Sequence, residues 1–223
     1  MTFLRILPLL ALFMPCAAMA QPASASDASD DIPLSPETLS DALSCRSHPA
    51  AFAFASALFL ENKAPAWMKG AKDNKATEGM IGLSGFTLTK PAALLGEPVS
   101  NVYFLQDWVV TLWPRAKAEA FIKAQKLERA PIKATEQYYR FLDPKAGPML
   151  GAFEPTGGAL SAMMAKAFGA EPTPAPPSGS LFVGCNYTAA SQAEFLEAAG
   201  QADAMTGAAA KDIGKALDTP DTQ

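Results

Sequence analysis

Two of the three cysteines and the single histidine are the residues of this sequence that could form a nucleophilic site. Cys45 lies three residues before His48, the single histidine, and Cys185 follows about 140 residues later. A Cys–His pair can generate a thiolate nucleophile, and a Ser–His–Asp triad would also need His48. Ser84 is a poor partner because Gly82-Leu-Ser-Gly-Phe86 lacks the final glycine of the nucleophile elbow. We therefore interpret His48 as a loop or capping residue.

The cysteine count favours a disulfide over catalysis. The chain has three cysteines, and removal of Cys16 with an N-terminal signal would leave Cys45 and Cys185 as a pair. Their spacing is far from C-x-x-C, which is typical of redox-active dithiols. In an oxidising compartment the pair predicts a structural bridge, and closing so long a loop contributes about 5 kcal/mol in the chain-entropy model.

Carboxylates offer a second possible chemistry. Glycoside hydrolysis needs two acids at a defined separation, and Asp107, Asp143 and Glu154 are the candidates. Asp107 and Asp143 lie in predicted turns, where Asp is favoured by its own hydrogen bond to the backbone. A carboxylate-dependent hydrolase therefore stays as an alternative, without a specific spacing to support it.

A methionine-rich segment is the clearest candidate for contact with a partner. Gly157-Gly158 precedes a predicted helix at 159–168, and a glycine pair before a helix could form an anion-binding nest, although no phosphate-loop pattern is present. Methionine adapts to varied surfaces, so the helix could dock a partner or could pack on the sheet. Its apolar stripe consists of Leu160, Met163, Met164 and Phe168.

Aromatic residues recur on the predicted strands. Such residues usually form core or cross-strand pairs, but they could also line a ligand pocket. A glycosylation sequon, Asn186-Tyr187-Thr188, overlaps the last predicted strand. The strand aromatics are Tyr103, Trp108, Trp113, Tyr138 and Tyr139.

The first twenty residues have the pattern of a cleavable signal peptide. One charge, Arg5, precedes an apolar run, and Ala18-Met19-Ala20 supplies small residues for cleavage before Gln21. The run is shorter than the ~20 residues that span a bilayer and contains Pro8. An uncleaved anchor and a lipidated Cys16 are the weaker alternatives. The pattern predicts a periplasmic or secreted protein.

Charge and composition exclude several classes of partner. Removing residues 1–20 leaves 17 basic and 22 acidic residues, a net charge of −5. Nucleic acid and anionic membrane surfaces both favour basic stripes, so neither is an expected partner. A single histidine excludes sites with two imidazoles. No cofactor or metal motif is present in the sequence.

The elements follow from capping and periodicity. A helix starts after Ser35, a second starts at Pro49 and is expected to be buried nearly all round, and 62–79 is expected to be a loop. Pro114 opens an amphipathic helix. The predicted strands are 81–89, 101–105, 108–113, 138–142, 149–153 and 180–187, with a bulge at Gly85, a connection at 90–98 and a final helix at 191–199.

This order predicts an α+β fold. About six strands form a mostly antiparallel sheet packed on helices, and the disulfide ties two N-terminal helices to the last strand. One domain is expected over 35–200, with a Pro-rich spacer at 170–179. A flexible leader at 21–34 and a frayed polar tail at 201–223 flank it.

The function expected from these features is binding without catalysis. The protein would be an exported binding or envelope-accessory factor for an unknown protein or small ligand. The two alternatives are the hydrolase described above and a structural or surface protein that docks a partner through helix 159–168.

N-terminal sequencing tests the export signal. Protein recovered from the envelope or medium should begin at Gln21, because the small residues before it fit signal peptidase. An intact Met1 would contradict cleavage, and a blocked terminus with membrane fractionation would indicate a lipidated Cys16.

Overall fold

The computed structural model describes residues 32–71, 77, 80, 82–132, 135–155 and 179–201. Over these ranges the chain is α+β, with helices packed on an antiparallel sheet, as the sequence predicts. The sheet has eight strands rather than the six expected. The predicted signal peptide, leader, helix 159–168 with Leu160, Met163, Met164 and Phe168, Pro-rich spacer and polar tail lie wholly or largely outside the described residues.

Serine caps set the start of both N-terminal helices. Helix α1 spans Pro36–Leu43, and the Ser35 side chain accepts a hydrogen bond from Thr38 N–H. Helix α2 spans His48–Ala55 and continues as a π-helical turn over Ser56–Leu60. The predicted cap of α1 is confirmed, and Pro49 lies in the first turn of α2 as expected.

The expectation that the second helix is buried nearly all round is wrong. Phe52 and Phe59 are about half exposed and Leu60 is 79% exposed. The buried face of α2 consists mainly of alanines around Phe54, and these small residues let the helix lie close to α1. Alanine and phenylalanine alternate too evenly along this segment for the sequence to identify the inner face.

The eight strands lie in the order β1-β2-β3-β4-β8-β7-β6-β5, with every neighbouring pair antiparallel. Two four-stranded meanders therefore meet through their last strands. The helix α3 connects the meanders, and the helix α4 follows the last strand. The bounds are β1 Met68–Gly70, β2 Leu83–Leu94, β3 Glu97–Leu105, β4 Trp108–Pro114, α3 Arg115–Gln125, β5 Glu128–Arg129, β6 Gln137–Phe141, β7 Met149–Phe153, β8 Ser180–Asn186 and α4 192–201.

The two unpredicted strands are the outermost ones. Strand β1 lies inside the predicted loop at 62–79, and β5 has only two residues, so neither is long enough to show alternation. The connection expected at 90–98 is also mostly strand. The register shift lies between Thr87 and Ala92 rather than at Gly85, which pairs regularly with Tyr103. Proline in this stretch fits such an irregularity, because it donates no ladder hydrogen bond.

The main core lies between the sheet and helices α1, α2 and α3. Side chains on this face include Phe104, Val109 and Val183, and the predicted inner face of α3 (Ala118, Phe121 and Ile122) is buried against it. The Cys45–Cys185 disulfide is present and links the end of α1 to β8, as predicted. Next to the disulfide, the Tyr187 hydroxyl donates a 2.7 Å hydrogen bond to the Ala42 carbonyl oxygen.

Gly184 allows β8 to lie against β4. A Cβ atom at this position would contact the Val109 carbonyl oxygen and would lie 2.8 Å from the Val110 Cα atom. Both atoms belong to the backbone of the neighbouring strand, so neither can turn aside. No side chain fits at Gly184 unless the strands move apart.

Replacing Gly184 with alanine should therefore weaken the domain. We expect Gly184→Ala to lower the free energy of unfolding by about 1–3 kcal/mol, the usual cost of overpacking, as measured by urea denaturation. Gly179→Ala is the matched control, since no atom lies within 4 Å of its added Cβ. Equal stability of the two variants would contradict the close approach of β8 to β4.

Candidate functional site

In the described part of the chain, His48 contacts an aromatic ring rather than a candidate nucleophile. Its ring stacks on Tyr187, with 5.2 Å between ring centroids. The Tyr187 hydroxyl is bonded to a backbone carbonyl, and burial raises its pKa above the usual range. The Cys45 sulfur belongs to the disulfide, so it is not the nucleophile of a Cys–His pair. The arrangement fits the interpretation of His48 as a residue of the helix boundary.

The three candidate carboxylates do not meet. Asp107 accepts a hydrogen bond from the Thr188 hydroxyl, and Asp143 accepts one from the Lys145 backbone N–H within its own turn. Both precede strands, whereas Glu154 follows the opposite end of β7. Five strand residues extend about 17 Å. Glu154 is thus separated from Asp107 and Asp143 by about the length of strand β7.

Glu154 belongs to an ion-pair network that the sequence did not indicate. The Arg115 guanidinium lies 2.9 Å from Glu136, 3.5 Å from Glu154 and 3.6 Å from Glu119. The hydrogen bond that Arg115 donates to the Glu136 carboxylate raises the pKa of Arg115. Burial raises the pKa of Glu136, but hydrogen bonds from Arg115 and Tyr138 outweigh it and lower the pKa overall. The network fixes the start of α3 against the ends of β6 and β7.

The strand aromatics divide between the two faces of the sheet. Trp113 packs edge-on against Phe121 of α3, and Tyr138 also lies against the main core. Tyr103, Trp108 and Tyr139 lie on the opposite surface, which we call the second face. The aromatics therefore do not form one cluster, and those of the second face are available for a separate site.

Helix α4 crosses part of the second face. Phe195 packs on Tyr139 and Phe141, with ring centroids 4.9 and 5.7 Å apart. At the start of the helix, the Glu194 carboxylate accepts 2.7 Å hydrogen bonds from the backbone N–H and the hydroxyl of Ser191. This capping box fixes where α4 begins, and Phe195 fixes how the helix rests on the sheet.

A cleft of about 300 Å³ lies between α4 and the second face. Its walls are mainly aromatic and aliphatic. Trp108 extends over Gly151, where an added Cβ would lie 2.7 Å from the indole Cη2 atom, so glycine makes room for the ring. We call this space the α4 cleft, and its lining residues are Trp108, Gln137, Phe141, Met149, Asn186, Thr188, Ala190, Glu194, Phe195 and Ala198.

A small set of polar groups lines the α4 cleft. Asn186 is 9% exposed, and its Oδ1 atom accepts a 2.9 Å hydrogen bond from Thr188 N–H. Its Nδ2 group is therefore the remaining donor, and Gln137 provides a second amide. The acceptor asparagine of the predicted sequon is thus mostly buried in the fold.

A second cleft of about 300 Å³ lies along α3, but its polar groups pair with each other. The Lys117 ammonium lies 3.3 Å from Glu97 and 4.1 Å from the centre of the Trp113 ring. A ligand there would have to displace these contacts. The α4 cleft is the better candidate because its amide donors face an aromatic space.

The described residues contain neither a metal site nor a membrane-spanning helix. No group of three His, Cys, Asp or Glu side chains there could hold a metal ion. Across the same ranges, no helix has the length and apolar character needed to cross a bilayer.

Comparison with known proteins gives no assignment. No family model, curated protein or solved structure matches this chain. The geometry of the α4 cleft is therefore the main indication of function. The sequence indicated the aromatic residues of β4 and β6 and the final helix. It did not indicate that these elements pack together and form a cleft.

Proposed function

We propose that the protein is an exported binding protein, periplasmic or secreted, that holds a small and largely apolar molecule in the α4 cleft. It would bind this molecule without transforming it. The proposal rests on the aromatic cleft between α4 and the second face, with its amide groups at one side.

The dimensions and lining of the cleft support a small-molecule ligand. Its volume of about 300 Å³ lies at the lower end of the range for ligand sites, ~300–1,000 Å³. Aromatic walls from Trp108, Phe141 and Phe195 favour contact with a planar or apolar body. The two amide side chains can orient such a ligand through hydrogen bonds.

The state of the ionisable groups supports binding rather than catalysis. Glu194 is the one carboxylate among the described lining residues, and Ser191 holds it in the cap of α4. A general acid–base pair would need a second titratable group within hydrogen-bond reach of the same substrate. The nearby Asp107 is instead bonded to Thr188.

Export is supported by two independent features. The first twenty residues have the charge, apolar run and small residues of a cleavable signal. The Cys45–Cys185 disulfide fits the oxidising compartments to which such a signal leads.

A neutral fluorescent probe tests the binding site. N-phenyl-1-naphthylamine should bind the mature protein, with increased fluorescence, because the aromatic walls exclude water from the dye. Ala198→Trp should weaken this binding at least about tenfold, since an exposed alanine of the cleft wall becomes a large ring that occupies the space.

The matched control is Ala193→Trp. Ala193 is exposed on the same helix but does not line the cleft, so this variant should bind the dye as the unmodified protein does. The proposal fails if the dye does not bind, or if both tryptophan variants bind it equally well.

A further inference from the structure

We propose that the α4 cleft selects uncharged or cationic aromatic ligands and rejects carboxylates and phosphates. This inference rests on the proposed function and adds the chemical class of the ligand. It follows from the charges around the cleft and from the hydrogen bonds by which the Glu194 side chain caps the N-terminus of α4.

The charge in the cleft lining is negative. Among the described residues of the lining, Glu194 is the single ionisable one, and none of them is a lysine, arginine or histidine. Hydrogen bonds from the Ser191 backbone N–H and hydroxyl lower the pKa of Glu194, so its carboxylate is ionised at neutral pH. An anionic ligand would meet this carboxylate without a cation to offset it.

The N-terminus of α4 does not compensate for this charge. Helix N-termini often bind anions, because their N–H groups and dipole favour negative charge. Here the carboxylate of Glu194 already accepts two hydrogen bonds from Ser191, and Glu194 N–H donates to the Ser191 hydroxyl at 3.2 Å. The Glu194 carboxylate thus occupies the position at the start of α4 where an anionic ligand would otherwise bind.

Two carboxylates, those of Asp107 and Glu128, contact residues that form or support the cleft lining. Asp107 accepts a hydrogen bond from Thr188, which lines the cleft. Glu128 lies 3.5 Å from the hydroxyl of Tyr139, which packs on Phe195. The nearest basic residue in the adjoining turn, Lys145, is exposed and does not line the cleft.

The remaining groups define what the cleft accepts. Trp108, Phe141 and Phe195 present rings, and aromatic rings attract cations as well as other rings. Asn186 Nδ2 can donate to a hydroxyl or carbonyl oxygen of the ligand. The ligand class is therefore an aromatic body with a neutral acceptor or a cationic group.

A matched series of probes isolates the effect of charge. 2-Naphthalenemethanol, 2-naphthylmethylamine and 2-naphthoate share one ring system and differ in the charge of one substituent. Binding would be followed through the indole N–H resonance of Trp108 in the ¹⁵N-labelled mature protein. Trp67 and Trp113 belong to the main core on the other face and serve as internal controls.

The alcohol and the amine should shift the Trp108 resonance, and the naphthoate should bind about three- to fivefold more weakly, because like charges repel even where the Glu194 carboxylate is exposed to solvent. Glu194→Gln should reduce this difference, since glutamine can still accept the capping bonds without the charge. Glu197→Gln, an exposed position of α4 outside the cleft lining, should leave the difference unchanged.

The outcomes separate this inference from the proposed function. Naphthoate binding as tight as that of the alcohol, or a difference that persists in Glu194→Gln, overturns the charge selection and leaves the cleft a ligand site. Absence of Trp108 shifts with all three compounds, or shifts at Trp113 instead, contradicts both.

Discussion

Seven residue pairs join β4 to β8, and this pairing makes one sheet from two four-stranded meanders. It depends on Gly184, whose missing side chain lets the two backbones approach. It also places Cys185 next to Val109 in register, on the face where the disulfide reaches α1. The main core and the second face are therefore both built on the same pair of strands.

The pairing also creates the α4 cleft. Asn186 is in register with Trp108 on one side and with Met149 on the other, so three lining residues form one row across the sheet. The chain leaves β8 at this row and turns through residues 187–191 into α4. Because the turn is short, the helix has to lie over the row, with Phe195 on the rings of β6.

Local features of the fold were predictable from the sequence. The Ser35 cap, the β3–β4 hairpin around Gln106-Asp107 and the disulfide each follow from a few neighbouring residues or from cysteine parity. The outermost strands β1 and β5 were missed because two or three residues carry no period. The exposure of Phe52 was missed because its helix is apolar on every side.

The candidate site was not predictable in the same way. Trp108 is far along the chain from Asn186 and Phe195. The register of β4, β8 and β7 brings Trp108 beside Asn186, and the short turn after β8 brings Phe195 over the same row. The most direct test is to soak crystals of the mature protein with N-phenyl-1-naphthylamine and determine the structure. We predict that the dye lies between Trp108, Phe141 and Phe195. An empty α4 cleft, or dye bound only beside Trp113, would contradict this account.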